Sequence, residues 1–313
     1  MAPSNSMSDD ANNIKTMKLN NNVERIKNGL KSRDMLKSEF IDPIALSEID
    51  SMHYMGNSAI EDAVKTMKLD SSSSRVLDIG SGFGGPARVL SASSNCTATA
   101  LELQPDIHQM AEYLTKKCNL DNLVKHKVGD ILSLDLDKLG GGLSSFDGVI
   151  SFLVFLHITD KEPLLERCAN MLKPGGNLFV EDFYCVSPFS VAEAESLSED
   201  VFAKELPTRE EYISHLEASG FHNIQFIDKS SEWTNYVTER LGNFIANRHN
   251  FEEVHGEPTY LSLLHFYEAV AALFSGRNLG GVRIIAEKSE PMASEILCIN
   301  GNKDMKVSLV LLL

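Results

Sequence analysis

Long hydrophobic runs are missing from this chain of 313 residues. No apolar stretch approaches the roughly 20 residues that a membrane-spanning helix needs. The first residues, Met1 to Asn13, are mostly polar and lack the apolar core of a secretory signal peptide. These absences predict a protein with no membrane span, and we expect a cytoplasmic location.

Basic residues and paired cysteines are also scarce. The chain has 29 Lys and Arg against 44 Asp and Glu, a formal net charge of −15 at pH 7. Such a surface repels phosphate backbones, so nucleic acid is not an expected partner. The 5 cysteines are scattered without a C-x-x-C motif, which favours buried, reduced thiols. The spacing of His249 and His255 matches no metal-ligand pattern, so no metal site is predicted.

The most informative stretch is 75–86, R-V-L-D-I-G-S-G-F-G-G-P. Its apolar start is typical of a buried strand, and an apolar-periodic, helix-like segment follows the glycines. Gly80, Gly82 and Gly85 fit the pattern G-x-G-x-x-G, which permits a tight turn and close approach of the backbone to a ligand. Alone, this pattern also fits a dinucleotide site or a simple strand-to-helix turn.

Two acidic residues narrow the choice of ligand. Asp78 lies just before the first glycine, at the end of the strand where open α/β sheets bind ligands. A carboxylate at that place repels a pyrophosphate and attracts a cationic amino group. Glu102 ends the next strand-like run, at about the 20-residue offset of an acid that binds ribose hydroxyls. Together they favour a nucleoside with a cationic amino-acid tail, S-adenosylmethionine, over a dinucleotide.

Strand-like and helix-like segments alternate through most of the chain, with no internal repeat. This alternation predicts an α/β fold with a doubly wound, mostly parallel seven-stranded sheet, Rossmann-like, and a helical cap. The last two strands are expected to pair with each other. The predicted strands lie near 75–79, 97–102, 124–128, 146–152, 177–181, 223–227 and 280–287.

Helix-capping residues and changes in composition predict where helices and domains begin and end. Capping boxes at Thr159/Glu162 and Thr208/Glu211 predict two helix starts, and 234–275 is predicted to be helical throughout. We expect three parts: a flexible N-terminal extension, 1–40, with 1–15 disordered; a central domain, 41–288; and a tail, 289–313, without an assigned role. Within the central domain, the cap is expected from insertions at about 185–210 and 234–279.

The order of these motifs resembles that of class I S-adenosylmethionine-dependent methyltransferases. The resemblance covers about 45–288 and rests on 77–82, Glu102, 129–131, 146–147 and 172–176. Within that superfamily the chain is similar to the small-molecule N-methyltransferases of the phosphoethanolamine and sarcosine/dimethylglycine type. The further grounds are the segments 53–56, 79–85, 151–158 and 181–184.

This resemblance implies which residues contact the cofactor. Glu102 would hold the ribose, Asp130 the adenine amino group, and the glycine turn would border the methionine portion. The complete set is Asp78, Gly80, Ser81, Gly82, Glu102, Leu103, Gln104, Asp130, Ile131 and Phe152.

It also implies two catalytic residues. His157 falls where phosphoethanolamine methyltransferases carry a catalytic histidine that works with a tyrosine, and Tyr54 is the matching tyrosine. Each also has a structural interpretation: a histidine before a helix is often a cap, and a tyrosine often only packs. Leu153 occupies the position of that family's substrate-binding acid, which weakens the case for phosphoethanolamine itself.

Three more residues are candidates for binding the methyl acceptor. Asp182 and Tyr184 follow the fifth strand, and Trp233 could face an alkylammonium group through a cation–π contact. The alternatives are solvated groups at a strand end for the first two and core packing for the tryptophan.

The sequence therefore predicts methyl transfer from S-adenosylmethionine to a small polar metabolite, at an amine nitrogen. Primary and secondary amines must lose a proton first, which links the acceptor class to the role of His157 as a base. The alternatives are S-methylation of a thioether or thiol, C-methylation of a sterol-like lipid, and a non-catalytic protein that binds S-adenosylmethionine.

Overall fold

The computed structural model describes residues 22–69 and 72–290 of the chain. Among these residues a single seven-stranded sheet has the order β3-β2-β1-β4-β5-β7-β6. The strands are β1 (Arg75–Ile79), β2 (Thr97–Glu102), β3 (Val124–Val128), β4 (Phe146–Phe152), β5 (Leu172–Cys185), β6 (Phe221–Asp228) and β7 (Leu279–Lys288).

The sheet is parallel from β3 to β5, and β7 runs antiparallel to both of its neighbours. The predicted α/β class, the seven strands and the pairing of the last two strands are confirmed. Because β1 lies between β2 and β4, the winding of the chain reverses beside it. A crevice forms at such a reversal, outside the carboxyl ends of the strands.

The described helices cover both faces of the sheet and build a cap over one end. They are α1 (Val23–Ser32), α2 (Pro43–Asp50), α3 (Ser58–Thr66), α4 (Gly85–Ser94), α5 (Pro105–Lys117), α6 (Lys161–Met171), α7 (Val191–Glu199), α8 (Arg209–Ala218), α9 (Ser230–Ala246), α10 (Arg248–His255) and α11 (Glu257–Gly276). Within the described part of the chain, no helix is long and apolar enough to cross a bilayer.

Alternating side chains of the central strands supply two separate cores. Leu77 of β1 and Val149 of β4 pack under α6 and α8, whereas their neighbours Val76 and Ile150 pack under α3 and α4. This is the period-two alternation of a strand that is buried on both faces.

The cap has its own core, formed by α7, α9 and α11 with the edge of the sheet. Phe183 of β5 contacts Trp233 and Phe274 edge-on, with ring centroids 6.2 and 5.3 Å apart. Rings in this geometry stabilise beyond their buried area. The cap is therefore packed firmly on the carboxyl ends of the strands.

Three predicted boundaries differ from the structure. The helix expected at Thr159 begins at Lys161 with Asp160 as its N-cap and without a side-chain cap, so that capping box is wrong, whereas the one at Thr208 is confirmed. β5 begins at Leu172, earlier than predicted, because a register shift against β4 accommodates Pro174 inside the strand. The continuous helix predicted over 234–275 is divided into α9, α10 and α11.

The predicted terminal segments lie only partly within the described residues. Residues 1–21 and 291–313, and with them the predicted disorder of 1–15 and most of the tail, lie outside. Within the described remainder of the extension, α1 has Ile26 and Leu30 fully buried against α2 and α5. This part of the predicted extension is integrated with the domain.

Candidate active site

A cavity open to solvent lies at the carboxyl ends of β1, β2 and β4, beneath the cap. Its empty space is about 1440 Å³, counted out to the mouth. The lining falls into two parts. The sheet end contributes the glycine turn and the residues that follow β2 and β3. The cap end contributes side chains from the loops after β4 and α7 and from α9 and α11.

The glycine turn has a geometry that other residues would not adopt easily. Gly80 has φ +72° and Gly82 φ +52°, both in the left-handed region that favours glycine. The amide of Gly80 donates to the carbonyl of Leu101 at 2.9 Å, which ties the turn to β2. A Cβ at Gly80 would lie 2.4 Å from a methyl of Val154. The backbone therefore approaches the cavity more closely than any other residue would allow.

The two acids of the sheet end have different surroundings. Glu102 is held by the amides of Gly82 and Gln104, each 2.9 Å from one of its carboxylate oxygens. Asp78 is buried, and its Oδ2 has no hydrogen-bond partner among the described residues. Burial, followed by the nearby charge of Glu102, raises the pKa of Asp78 to about 7. A cationic ligand group beside Asp78 would favour its ionised form.

Other buried polar atoms on the cavity wall also lack a partner within the described residues. They are Asp50 Oδ1, His53 Nδ1, Ser81 Oγ and Gln104 Nε2. Buried polar groups are nearly always hydrogen-bonded, so such a set calls for a ligand. Carboxylate acceptors beside a hydroxyl, an amide and an imidazole suit a ligand with both ammonium and hydroxyl groups. These residues fit S-adenosylmethionine.

The remaining predicted cofactor residues lie on the same wall. Asp130 accepts a hydrogen bond from the amide of Leu132 at 2.9 Å, which fixes the loop after β3. Ile131 and Phe152 are buried and Leu103 adjoins Glu102. The structure thus brings all ten predicted cofactor-binding residues to one cavity.

His157 and Tyr54 reach this cavity from the cap side. His157 ends a short 3-10 turn, Phe155–His157, and its Nδ1 donates to the carbonyl of Phe202 at 3.1 Å. A proton on Nδ1 leaves the basic lone pair on Nε2. Burial raises the pKa of Tyr54, so its phenol stays protonated near neutral pH. Of the pair, only His157 is suited to accept a proton.

Backbone strain clusters around these two side chains. Met55, Leu153 and Phe202 have φ of +60°, +56° and +59°, values uncommon outside glycine. Met55 follows Tyr54, Leu153 lies on the cavity wall, and Phe202 accepts the hydrogen bond of His157. Strained backbone of this kind is often found at functional sites.

Asp182, one of the predicted acceptor-binding residues, does not line the cavity. Its carboxylate is fully buried, accepting from the amide of Leu156 at 2.9 Å and from the Tyr212 hydroxyl at 3.0 Å. Lys161 supports the same turn by donating to the carbonyl of Phe155 at 2.7 Å. Asp182 therefore anchors the turn that presents His157.

Tyr184 and Trp233 also lie away from the cavity. The Tyr184 ring packs edge-on against Phe226 of β6, with centroids 5.0 Å apart. Trp233 is fully buried, rests on the backbone of Gly281, and meets the Tyr54 ring edge-on at 5.0 Å. The packing interpretation therefore applies to both, and Trp233 supports Tyr54 from behind.

Several residues that line the cavity were not predicted from the sequence, among them Asp50 from α2, Val201, Arg240 and Phe266. Arg240 lies in the middle of α9, where no motif distinguishes it from an exposed helical arginine. Asp50 pairs with the buried guanidinium of Arg88 while facing the glycine turn. An acid and a base 38 residues apart in sequence give no local signal of their pairing.

The sequence is similar to those of known methyltransferases. Residues 77–180 match the family model described as a methyltransferase domain. Phosphoethanolamine N-methyltransferase of Plasmodium falciparum is 27% identical over 198 residues, 61% of this chain and 69% of that protein. Glycine/sarcosine/dimethylglycine N-methyltransferase of Actinopolyspora halophila is 29% identical over 50% of this chain, but only 27% of its own length is matched. Sterol 24-C-methyltransferase of Clavispora lusitaniae is 32% identical over 102 residues, 33% of this chain and 26% of that protein.

Solved structures support the same assignment of fold. Phosphoethanolamine N-methyltransferase 2 of Haemonchus contortus, with phosphomonomethylethanolamine and S-adenosylhomocysteine, superimposes with a TM-score of 0.68. The match has 21% identity and covers 75% of this chain and 53% of that one. These comparisons confirm the predicted resemblance and fold, and they match residues 77–180 to a methyltransferase domain.

Proposed function

We propose that this chain transfers a methyl group from S-adenosylmethionine to the nitrogen of a small polar amine. The observation that carries the proposal is the single cavity beneath the cap. Its sheet end holds Asp78, the glycine turn and Glu102, and its other end holds His157 and Tyr54. The names of two N-methyltransferase relatives, for phosphoethanolamine and for glycine and its methylated derivatives, favour a small amine.

In this proposal the sheet end binds the cofactor. Asp78 would hold the methionine ammonium, Glu102 the ribose hydroxyls and Asp130 the adenine amino group, and Leu103 and Ile131 would contact the adenine ring. S-adenosylmethionine, when bound, supplies a methyl group already activated by its sulfonium. The protein then needs to orient the acceptor and limit access of water, and the cap covers part of the cavity from above.

The cap end prepares the acceptor nitrogen. An ammonium has no lone pair, so a proton must leave before the nitrogen can bond to carbon. His157 Nε2 accepts this proton, with the imidazole held in place by its Nδ1 bond to Phe202. Tyr54 donates a hydrogen bond from its protonated phenol and orients the acceptor. Asp182, Tyr212 and Lys161 keep the turn of His157 in place.

C-methylation of an apolar lipid is the second candidate. The cap end of the cavity includes Leu153, Leu156, Phe183, Val201 and Phe266, and a sterol 24-C-methyltransferase is among the relatives. A lipid acceptor would leave the guanidinium of Arg240 facing hydrocarbon, an unfavourable arrangement for a charge. The amine is therefore the first candidate.

Cofactor binding and acceptor class are tested separately. Calorimetry of the full chain should show binding of S-adenosylmethionine and none of NAD. Labelled S-adenosylmethionine is then offered with glycine, sarcosine, dimethylglycine, phosphoethanolamine, a thioether acid and a sterol. Label in an amine supports the proposal; label only in the sterol or the thioether supports its alternatives; and binding without transfer to any acceptor indicates a non-catalytic binding protein.

The role of His157 has its own test. His157→Ala removes the proposed base, so turnover of a primary amine should fall by about 100-fold or more at pH 7, the usual contribution of general base catalysis. The loss should shrink as the pH rises and the amine loses its proton in solution. His222→Ala, at the exposed edge of the sheet, is the matched control. A pH-independent loss, or none, would contradict the assignment.

The domain organisation and location are proposed on structural grounds. The cap insertions at about 185–210 and 234–279 correspond to the segments that contain α7 and the α9–α11 group. Four cysteines, Cys96, Cys118, Cys168 and Cys185, are free thiols among the described residues, which supports a reducing compartment such as the cytoplasm. Fractionation of cells that express the tagged chain tests the location.

A further inference from the structure

The titratable side chains that line the cavity differ between its two ends. Asp50, Asp78, Glu102 and Asp130 lie at the sheet end, where the cofactor is proposed to bind. At the cap end the charged side chain is Arg240 of α9. In a protein of net charge −15, a guanidinium placed on the wall of a mainly apolar cavity requires an explanation.

Arg240 is not neutralised by an acidic partner. No Asp or Glu of the described residues forms an ion pair with it. Its Nη2 donates to the Tyr267 hydroxyl at 2.9 Å, and its guanidinium carbon lies 4.4 Å from the centre of the same ring. Burial works against its charge, yet the phenols of Tyr267, Tyr54 and Tyr236 raise the pKa of Arg240 above its ordinary value. Arg240 is therefore a cation held among aromatic rings.

A second arginine strengthens the positive potential at this end. Arg25 of α1 donates to the carbonyl of Ile49 and to the Met52 sulfur, both at 3.3 Å, and Met52 lines the cavity. Burial, and to a smaller degree repulsion from Arg240, lowers the pKa of Arg25, whereas Tyr267 and Asp50 oppose this shift. The two guanidiniums are thus close enough to repel each other.

From this geometry we propose that Arg240 binds an anionic group, carboxylate or phosphate, of the methyl acceptor. The inference rests on the proposed function, because it concerns the acceptor of that reaction. Guanidinium groups bind both anions through paired N–H donors, and the stacked Tyr267 ring presets the orientation of this one. The acceptor is then a zwitterion whose anionic group lies at Arg240 and whose amine lies toward His157. Arg240 selects against neutral amines.

The test compares acceptors that differ only in the anionic group. Glycine is paired with glycinamide, and phosphoethanolamine with ethanolamine. The wild-type chain should favour the anionic member of at least one pair, and the favoured pair identifies the anion as carboxylate or phosphate. In Arg240→Met, kcat/KM for that acceptor should fall about 10- to 100-fold, the usual effect of losing a hydrogen bond to a charged group, with little change for the neutral member.

Two further variants control for general damage. Arg240→Lys keeps the charge without the paired donors and should fall between the wild type and Arg240→Met. Arg248→Met removes an arginine of α10 that pairs with Glu252 and Glu257 outside the cavity, and it should leave both pairs unchanged. Equal losses for anionic and neutral acceptors in Arg240→Met, or no preference in the wild type, would overturn the inference.

A binding measurement separates this inference from the proposed function. Acetate and inorganic phosphate are titrated into the complex with S-adenosylmethionine, and at least one should bind to the wild type and not to Arg240→Met. Such binding without methylation of any amine would support the role of Arg240 and contradict the proposed function. Amine methylation without anion binding would support the proposed function and contradict the role of Arg240.

Discussion

Replacing Gly80 by alanine should damage the protein more than the same change at Gly82. Both glycines lie in the turn after β1, with φ of +72° and +52°. They differ in what an added methyl would contact. At Gly80 it would lie 2.4 and 2.5 Å from the two methyls of Val154, whereas at Gly82 nothing lies within 4 Å. Comparing Gly80→Ala with Gly82→Ala therefore separates the cost of backbone strain from the cost of overpacking.

The two costs have known sizes. An alanine in the left-handed region costs about 1–2 kcal/mol, and this applies to both variants. Overpacking adds about 1–3 kcal/mol at Gly80 alone. Gly82→Ala should therefore lose about 1–2 kcal/mol of unfolding free energy and Gly80→Ala about 2–5 kcal/mol. The methyl of Gly82→Ala would project into the space proposed for the cofactor, so S-adenosylmethionine affinity should fall there despite the milder loss of stability.

Urea denaturation gives the unfolding free energies, and calorimetry gives the affinities. Val154→Ala removes the two methyls that the new group would touch. Combined with Gly80→Ala, it should recover most of the overpacking cost and none of the backbone cost, a positive coupling in a double-mutant cycle. Equal destabilisation by both glycine variants, or no coupling to Val154, would refute the packing argument for this turn.

Three further predictions follow from buried charges. Asp182→Ala removes the acceptor of two hydrogen bonds beneath His157. It should lower the free energy of unfolding by about 2–4 kcal/mol in urea denaturation and also lower turnover of a primary amine. Unchanged turnover would show that the turn of His157 needs no anchor. Asp78 has a pKa of about 7, above that of the unfolded chain, so the folded state retains a proton and loses stability as the pH rises from about 4 to 7. The cationic cofactor prefers the ionised form of Asp78, so the affinity for S-adenosylmethionine should rise with pH by up to about tenfold per pH unit below pH 7. Calorimetry at pH 6–8 measures this affinity, and Asp78→Asn should give a flat profile. A flat profile in the wild type would contradict the prediction. Asp50→Ala leaves the guanidinium of Arg88 buried without its partner and should lower the free energy of unfolding by about 3–5 kcal/mol. Asp62→Ala removes the exposed partner of Arg283 and should lower it by only about 0–1 kcal/mol. Similar losses for the two variants in urea denaturation would contradict this distinction.

The sheet and the glycine-turn end of the cavity were predictable because their signals are local. A strand, a glycine turn and a helix follow one another within 75–94, and Glu102 ends the next strand. In a parallel sheet the carboxyl ends of neighbouring strands share one edge, so the turn and Glu102 must meet. Sequence spacing alone therefore places this part of the cavity.

The acceptor side was predicted less well because its residues depend on tertiary packing. Asp182 and Phe183 are adjacent in β5, yet the first is buried under the turn of His157 and the second faces the cavity. Adjacent strand residues point to opposite faces, and only the placement of α8 and the cap determines which face is which. Thr159 is likewise not the helix start, because the helix begins at Lys161 with Asp160 as its N-cap.

Specificity for the acceptor therefore depends on elements that similarity to the domain 77–180 does not cover. Arg240, Phe266 and Val201 all lie beyond residue 180, and Tyr54 precedes residue 77. Their side chains meet only because α9 and α11 pack over the carboxyl ends of the strands. A relative that shares the domain but has another cap would present a different wall to the acceptor. Relatives named for amines and for sterols both match this chain, so we expect a cavity residue such as Arg240 to be more informative about the acceptor than the level of identity is.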